Sequence, residues 1–385
     1  MVTKFGKLVT SEIFPKLFLV FYIVCICLAA YTTGQALNTL TGRGLFNVGI
    51  YLLYALLAVL IMGQKDIGAK LQSKQFDLFM GYLSSFAIYD FLYLVVWEII
   101  AFLFPIRIMA RANGVFVCMG AAVATVFLGH QYTKHIKKVS YDITLGQKNR
   151  QVADQKQPKP YHMVLISDLH MGVYVGPQHV RRVVEAVNSL SPDMIVISGD
   201  IFDVGNKILK DEQVLQELAM IFREFKAKDG VYAVLGNHDP NVADQRMRDF
   251  MQSAGVTLLH NETVRLEQFN LMGRTDDANN IRKPMSRMIK QVDFTKPLIV
   301  LDHDPQGMRE EANYDVDLVL SGHTHAGQFF PVTLFTRWAN GKDYFYGYEK
   351  FGKMQGVITS GAGFFQLPVR IGTSNEVVDL RLQFS

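Results

Sequence analysis

Met163-Val164-Leu165-Ile166-Ser167, followed at once by Asp168-Leu169-His170, sets the pattern for the second half of the chain. An apolar run this short, ending in polar residues, reads as a buried strand. The arrangement recurs four times. Residues 194–198 precede Gly199-Asp200-Ile201-Phe202-Asp203, and residues 231–235 precede Gly236-Asn237-His238-Asp239. Residues 298–301 precede Asp302-His303, and residues 316–320 lead into Gly322-His323-Thr324-His325. Helical periodicity between the runs, at 180–190 after Pro177 and at 214–225, gives an α/β alternation. In such folds the loops beyond the carboxyl ends of the strands form the ligand crevice, so the five blocks are expected to meet. Residues 139–145 alternate as a half-buried strand, 264–272 read as a hairpin arm, and 356–360 and 377–382 read as closing strands.

The first third of the chain has a different character. The 385 residues are 49% hydrophobic with a net charge of only +4, a balance that suggests neither a nucleic-acid binder nor a strongly acidic partner. The apolar excess lies in four runs, 17–36, 45–63, 79–104 and 114–132, each near or above the roughly 20 residues that span a hydrocarbon core. No cleavage-site pattern precedes a soluble domain, so the runs read as a retained anchor. Lys4, Lys7, Lys16, Lys65, Lys70, Lys74, Lys134, Lys137, Lys138, Lys148 and Arg150 flank one side of the four spans, against Arg43, Arg107 and Arg111 on the other. Basic loops stay cytoplasmic, which places both termini and the C-terminal domain on that side of a multi-pass membrane protein. The expected division is a transmembrane domain over 1–134 and a second domain over 135–385.

Asp90 and Glu98 fall within the third run, where an ionised carboxylate is costly, so both are expected to face other helices. They are readable as a proton or ligand site or as a packing contact. Gly120 and Ala124 form a small-xxx-small step that could admit a neighbouring helix. The Gln- and Lys-rich stretch 146–160 reads as an exposed loop.

The blocks themselves carry imidazole, carboxylate and amide oxygen donors, and Cys25, Cys27 and Cys118 all lie outside them. Such a set suits Mn, Fe or Zn but not a thiolate zinc site. Two adjacent divalent ions can turn water into hydroxide near neutral pH and screen a phosphate under attack. Gly199, Gly236 and Gly322 precede the donors, where a small residue permits close approach. Asp203 fits the second block but is equally readable as a turn cap. His162, His179 and His260 read as packing or surface residues. Residues 273–277 are a candidate substrate-side loop.

D-x-H, G-D-x-x-D, G-N-H-[DE], a later His and G-H-x-H, in that order, resemble the calcineurin-like metallophosphoesterase superfamily. The Leu301-Asp302-His303-Asp304-Pro305 form and the tail from Ser360-Gly361-Ala362-Gly363 to Leu367-Pro368-Val369-Arg370 are most similar to its membrane-associated bacterial branch. The resemblance implies an α/β domain of two packed β-sheets flanked by helices. It implies one metal on Asp168, His170, Asp200 and His325 and a second on Asp200, Asn237, His303 and His323, with Asp200 as the bridge. It makes His238 the general acid or transition-state stabiliser, oriented or charged by Asp239. The implied function is hydrolysis of a phosphomonoester or phosphodiester by metal-bound hydroxide. The anchor favours a lipid-linked or membrane-proximal substrate. The competing reading is a metal-loaded signalling or binding module coupled to a ligand-sensing bundle. No nucleic acid is expected, and the sequence is silent on oligomeric state.

Overall fold

The structure is a computed structural model that describes residues 13–42, 45–63, 67, 71, 73–104, 106–146, 160–203, 205, 207–276 and 281–384. Several features read from the sequence lie outside these residues: Lys4, Lys7, Arg43, Lys65, Lys70, most of the 146–160 stretch with Lys148 and Arg150, and Asp277. The chain divides into two compact units. One comprises residues 1–131 with 366–369, and the other comprises 132–365 with 370–385.

In the first unit the four apolar runs are helices, α1 (Ile13–Thr41), α2 (Leu45–Met62), α3 (Lys74–Leu103) and α4 (Ile108–Thr133). Among the described residues, α3 and α4 are long and apolar enough to cross a membrane, and α2 has a shorter apolar stretch at Val48–Leu60. Ser73 caps α3 by accepting the Phe76 N–H. Asp90 is buried and accepts the Tyr54 hydroxyl, which in turn lies 3.3 Å from the Thr33 hydroxyl. Glu98 pairs with Arg111 of α4 instead of sharing that cluster. The small-residue step at Gly120 and Ala124 is exposed, and among the described residues nothing lies within 4 Å of a Cβ placed on Gly120. The close approach is at Gly114, where an added Cβ would lie 2.0 Å from the Trp97 ring.

The second unit is built on two six-stranded mixed sheets. The first has the order β1-β12-β2-β3-β4-β5, from β1 (Ile136–Leu145), β2 (Tyr161–Ile166), β3 (Met194–Ser198), β4 (Val231–Val234), β5 (Val256–Leu258) and β12 (Asn375–Phe384). The second has the order β10-β11-β9-β8-β7-β6, from β6 (Glu262–Arg265), β7 (Asn270–Gly273), β8 (Leu298–Leu301), β9 (Leu318–Ser321), β10 (Gly347–Phe351) and β11 (Met354–Ile358). The run β2-β3-β4-β5 is parallel, as is β7-β8-β9-β11. The motif-bearing ends of five strands therefore point the same way within their sheets.

Alternation explains why these strands are apolar throughout. Val164, Ile166, Ile195 and Ile197 pack against α5 (Pro177–Asn188), α6 (Glu212–Phe222) and α7 (Gln245–Ala254) through Val183, Val187, Leu218, Phe222 and Phe250. The intervening Met163, Leu165, Met194 and Val196 turn the other way and meet Ile299, Leu301, Leu318 and Leu320 between the sheets. Both faces of each central strand are buried, so no polar residue can interrupt the run. The strand expected at 316–320 begins at Leu318, and the arm at 264–272 is the antiparallel β6-β7 hairpin. Strands β5 and β10, the helix α7 and α8 (Val332–Asn340) have no counterpart in the sequence reading. They are short, or their apolar residues are too few to show a period. His179 is a packing residue, buried and donating to the Ala362 carbonyl.

Leu165 is fully buried between the sheets. Leu165→Ala is expected to lower the stability of the second unit by about 2–5 kcal/mol, read as a lower urea midpoint of the detergent-purified full chain. Glu262→Ala at the exposed edge is expected to stay within about 0.5 kcal/mol of the parent.

Candidate metal centre

Each donor sits on the first residues after a strand. Asp168 and His170 follow β2, Asp200 follows β3, Asn237 and His238 follow β4, His303 follows β8, and His323 and His325 follow β9. Hydrogen bonds between the two sheets fix how these ends meet. The Ser198 hydroxyl donates to the Leu320 carbonyl at 2.9 Å, and His303 Nδ1–H donates to the Ser198 carbonyl at 2.7 Å. With Nδ1 so engaged, His303 Nε2 is left facing Asp200 Oδ2 at 3.2 Å and Asn237 Oδ1 at 3.1 Å. Asn237 Oδ1 also lies 2.9 Å from His323 Nδ1.

On the other flank, His170 Nε2 and His325 Nε2 face each other at 3.0 Å. His325 Nε2 is 3.4 Å from Asp168 Oδ1, and His170 Nε2 is 3.6 Å from Asp200 Oδ2. Two groups have ligand atoms all within 4.8 Å of one another: Asp168, His170 and His325, and Asp168, Asp200 and His303. Asp168 is common to both, while Asp200 Oδ2 reaches both His170 and His303. Thus all seven sequence-derived donors are brought into one cluster, and Asp203 stands beside it with Oδ1 4.0 Å from His170 Nδ1.

The backbone bends sharply to achieve this. Asp168, His170, Asp200, His323 and His325 all have positive φ, between 48° and 70°. Each such non-glycine residue costs on the order of 1–3 kcal/mol, and clusters of them mark functional sites. Backbone N–H groups hold the acids: His323 donates to both oxygens of Asp168 at 3.1 Å, and His238 donates to Asp200 Oδ1 at 2.9 Å. Two glycines permit the approach. A Cβ on Gly322 would lie 2.2 Å from Asp168 Oδ2, and one on Gly236 would lie 2.2 Å from Asp200 Oδ1.

Burial pushes His170 down to about 3, and it holds His325 well below the imidazole range with the neighbouring His170 adding to the effect. Both rings are therefore neutral, with lone pairs to offer. Burial alone would raise Asp200, but the charge of His303 and the hydrogen bond between them win and hold Asp200 well below the usual carboxylate range. His303 is held well above its usual value against its own burial by the same pair. Burial pushes Asp168 up to about 6, with Asp200 adding to the rise. The two neutral imidazoles, with their Nε2 atoms 3.0 Å apart, stand beside the carboxylate oxygens of Asp168 and Asp200. That donor set fits divalent cations.

Asp239 is placed differently from the role given to it above. Its Oδ1 accepts the Phe202 N–H and its Oδ2 the Gly236 N–H, both at 2.8 Å, so its carboxylate braces the turn. Among the described residues no hydrogen bond joins it to the His238 ring. That ring is half-buried and stacks on Phe365 at a centroid distance of 4.6 Å. Arg370, buried in full, donates to the carbonyls of His325, Ser360 and Gly363 and to Asn375 Oδ1, tying the last block to the C-terminal tail. The sequence contained Phe365 and Arg370 but gave neither a role, because the histidines they meet, His170, His238 and His325, belong to other blocks of the chain.

A family model described as calcineurin-like phosphoesterase matches residues 161–327. An "uncharacterized metallophosphoesterase" of Aquifex aeolicus is 34% identical over 189 residues, covering 47% of this chain and 70% of that protein. Another from Helicobacter pylori strain J99 is 32% identical over 233 residues, with 59% of this chain and 61% of that one covered. A "transmembrane protein with metallophosphoesterase domain" of Danio rerio is 32% identical over 240 residues, covering 57% of this chain and 53% of that protein. The chain thus spans little more than half the length of the last two. With the motif blocks inside the matched region and a relative one-third identical over most of its own length, the chain belongs to the calcineurin-like phosphoesterase family, a family of metal-dependent phosphoric ester hydrolases.

Proposed function

We propose that the protein is a membrane-anchored phosphoesterase that uses two divalent cations, Mn, Fe or Zn, to hydrolyse a phosphomonoester or phosphodiester. The observation that carries this reading is the meeting of His170, His303 and Asp168 around Asp200, with Asp200 Oδ2 within 3.6 Å of an imidazole nitrogen on each flank. Asp168, His170, Asp200 and His325 would hold one cation, and Asp200, Asn237, His303 and His323 the other. When bound, such a pair lowers the pKa of water and screens phosphate charge. The chain's own side chains do the rest. The Ser198 carbonyl, accepting from His303, and the N–H groups of His323 and His238, donating to Asp168 and Asp200, keep the donors in place without further reorganisation. His238, half-exposed at the rim, offers an imidazole N–H to the departing oxygen of the ester.

The apolar helices α3 and α4 support membrane anchorage, and the Danio rerio relative's name is consistent with it. We read four spans, with the hydrolytic unit on the cytoplasmic side and a lipid-linked or membrane-proximal ester as its substrate, because the anchor raises encounter with such molecules. A reporter fused after Ser385 is expected to be active only as a cytoplasmic fusion; periplasmic or extracellular activity would reverse the orientation.

Chelation of the purified full chain is expected to abolish hydrolysis of bis(4-nitrophenyl) phosphate or 4-nitrophenyl phosphate, and Mn²⁺ to restore it. If neither ester is cleaved with Mn²⁺, Fe²⁺ or Zn²⁺ supplied, the binding-module reading prevails. Asp200→Asn is expected to lower bound metal and turnover together. His238→Gln should lower turnover of an ester with a basic leaving group, such as phenyl phosphate, by about 10²–10⁴-fold with metal content retained; parallel loss of metal would reassign His238 as a ligand. Gly322→Ala, which drives a Cβ against Asp168, is expected to reduce bound metal as Asp200→Asn does.

A further inference from the structure

His238 differs from the other site histidines in that, among the described residues, no hydrogen bond aims its ring, although the charges of Asp200 and Asp276 act on it. Its backbone N–H is used on Asp200, and Asp239 is engaged by the turn. Among the described residues no hydrogen bond reaches the ring. Its ring neighbours are Phe365 at 4.6 Å with the planes 26° apart, and His170 at 5.5 Å. The Phe365 ring also lies 4.9 Å from His170 and 6.2 Å from His325. One benzyl group therefore stands beside three imidazoles.

Phe365 is itself held. Its N–H donates to Gln328 Oε1 at 2.6 Å and its carbonyl accepts from Gln328 Nε2 at 3.0 Å, a two-point clamp by one buried side chain. Gln328 stands at φ 57°, three residues beyond His325, and its own N–H donates to the His325 carbonyl. A non-glycine residue in that conformation persists only where its surroundings hold it. The clamp thus registers the Phe365 ring to the same loop that carries His323 and His325. Parallel stacking at this distance restrains the tilt of a ring that lacks a hydrogen bond.

We propose that Phe365, clamped by Gln328, is the positioning residue for His238, holding its imidazole at the attitude from which it protonates the leaving oxygen. The proposal rests on the phosphoesterase reading and deepens it. An acid matters more as the leaving group becomes more basic, so loss of positioning shows in the leaving-group dependence and not in metal content.

The test uses the full-length, detergent-purified chain loaded with Mn²⁺ and aryl phosphate esters graded from 4-nitrophenyl to phenyl. Phe365→Leu is expected to lower kcat for the phenyl ester by about 10- to 100-fold. The 4-nitrophenyl ester should change by under about threefold, with KM and bound metal unchanged. Gln328→Ala should shift the series in the same direction, Phe365→Tyr should restore it, and Phe365→Leu should add nothing in a His238→Gln background. A readout independent of turnover is the ¹³Cε1–¹H resonance of His238, assigned by its loss in His238→Gln and recorded without metal. The Phe365 ring shifts it upfield, and Phe365→Leu should remove that shift. Equal losses across the ester series, a loss that persists without His238, or an unmoved resonance would each overturn the proposal. If the parent protein cleaves no ester, the phosphoesterase reading fails, and the resonance alone then decides whether Phe365 sets the ring.

Discussion

One buried carboxylate organises the site. Asp200 Oδ1 takes the His238 N–H and Oδ2 faces His170 on one flank and His303 on the other. A charge this deep in the protein is tolerated only when it is paired or coordinated. The surrounding architecture can be understood as the means of satisfying it: strands from both sheets end here, and Ser198 joins them through Leu320 and His303. Burial and pairing then set the states of the donors. His170 and His325 are neutral, while Asp200 is anionic against His303.

The cost of this convergence appears in the backbone. Five of the donors, together with Ala326 and Gln328, occupy left-handed conformations. The compensation is the rigid apolar double layer beneath, where Leu165, Val196, Leu301 and Leu320 are fully buried. A strained rim on a rigid base is a preorganised site, since little must move when a ligand arrives. Arg370 and Gln328 extend the same frame to the C-terminal tail, and so bring Phe365 against the histidines.

Asp239 and Gly120 show where inference from neighbours along the chain fails. The resemblance gave Asp239 the task of orienting or charging its neighbour His238, but alternate residues of a tight turn point in different directions, and its carboxylate closes the turn on Gly236 and Phe202. Gly120 and Ala124 satisfied a spacing rule for helix contact, yet Trp97 needs a site without a Cβ and finds it at Gly114. Spacing identifies a face, not the bulk of what lies opposite it.

The sequence by itself determined the strands that carry the motifs, the α/β class, the four apolar helices and the seven motif residues that converge. Burial on both faces forces apolar runs, and the donor chemistry restricts which side chains can follow them. Only the tertiary structure decided how the chain divides between two six-stranded mixed sheets, that Asp168 is shared by both His/Asp groups, and that Phe365 lies over His238. These depend on pairings between residues more than a hundred positions apart, such as His170 with His325 and Phe365 with His238. Local periodicity carries no record of such pairings, because strand order and loop curvature, not neighbouring residues, bring them together.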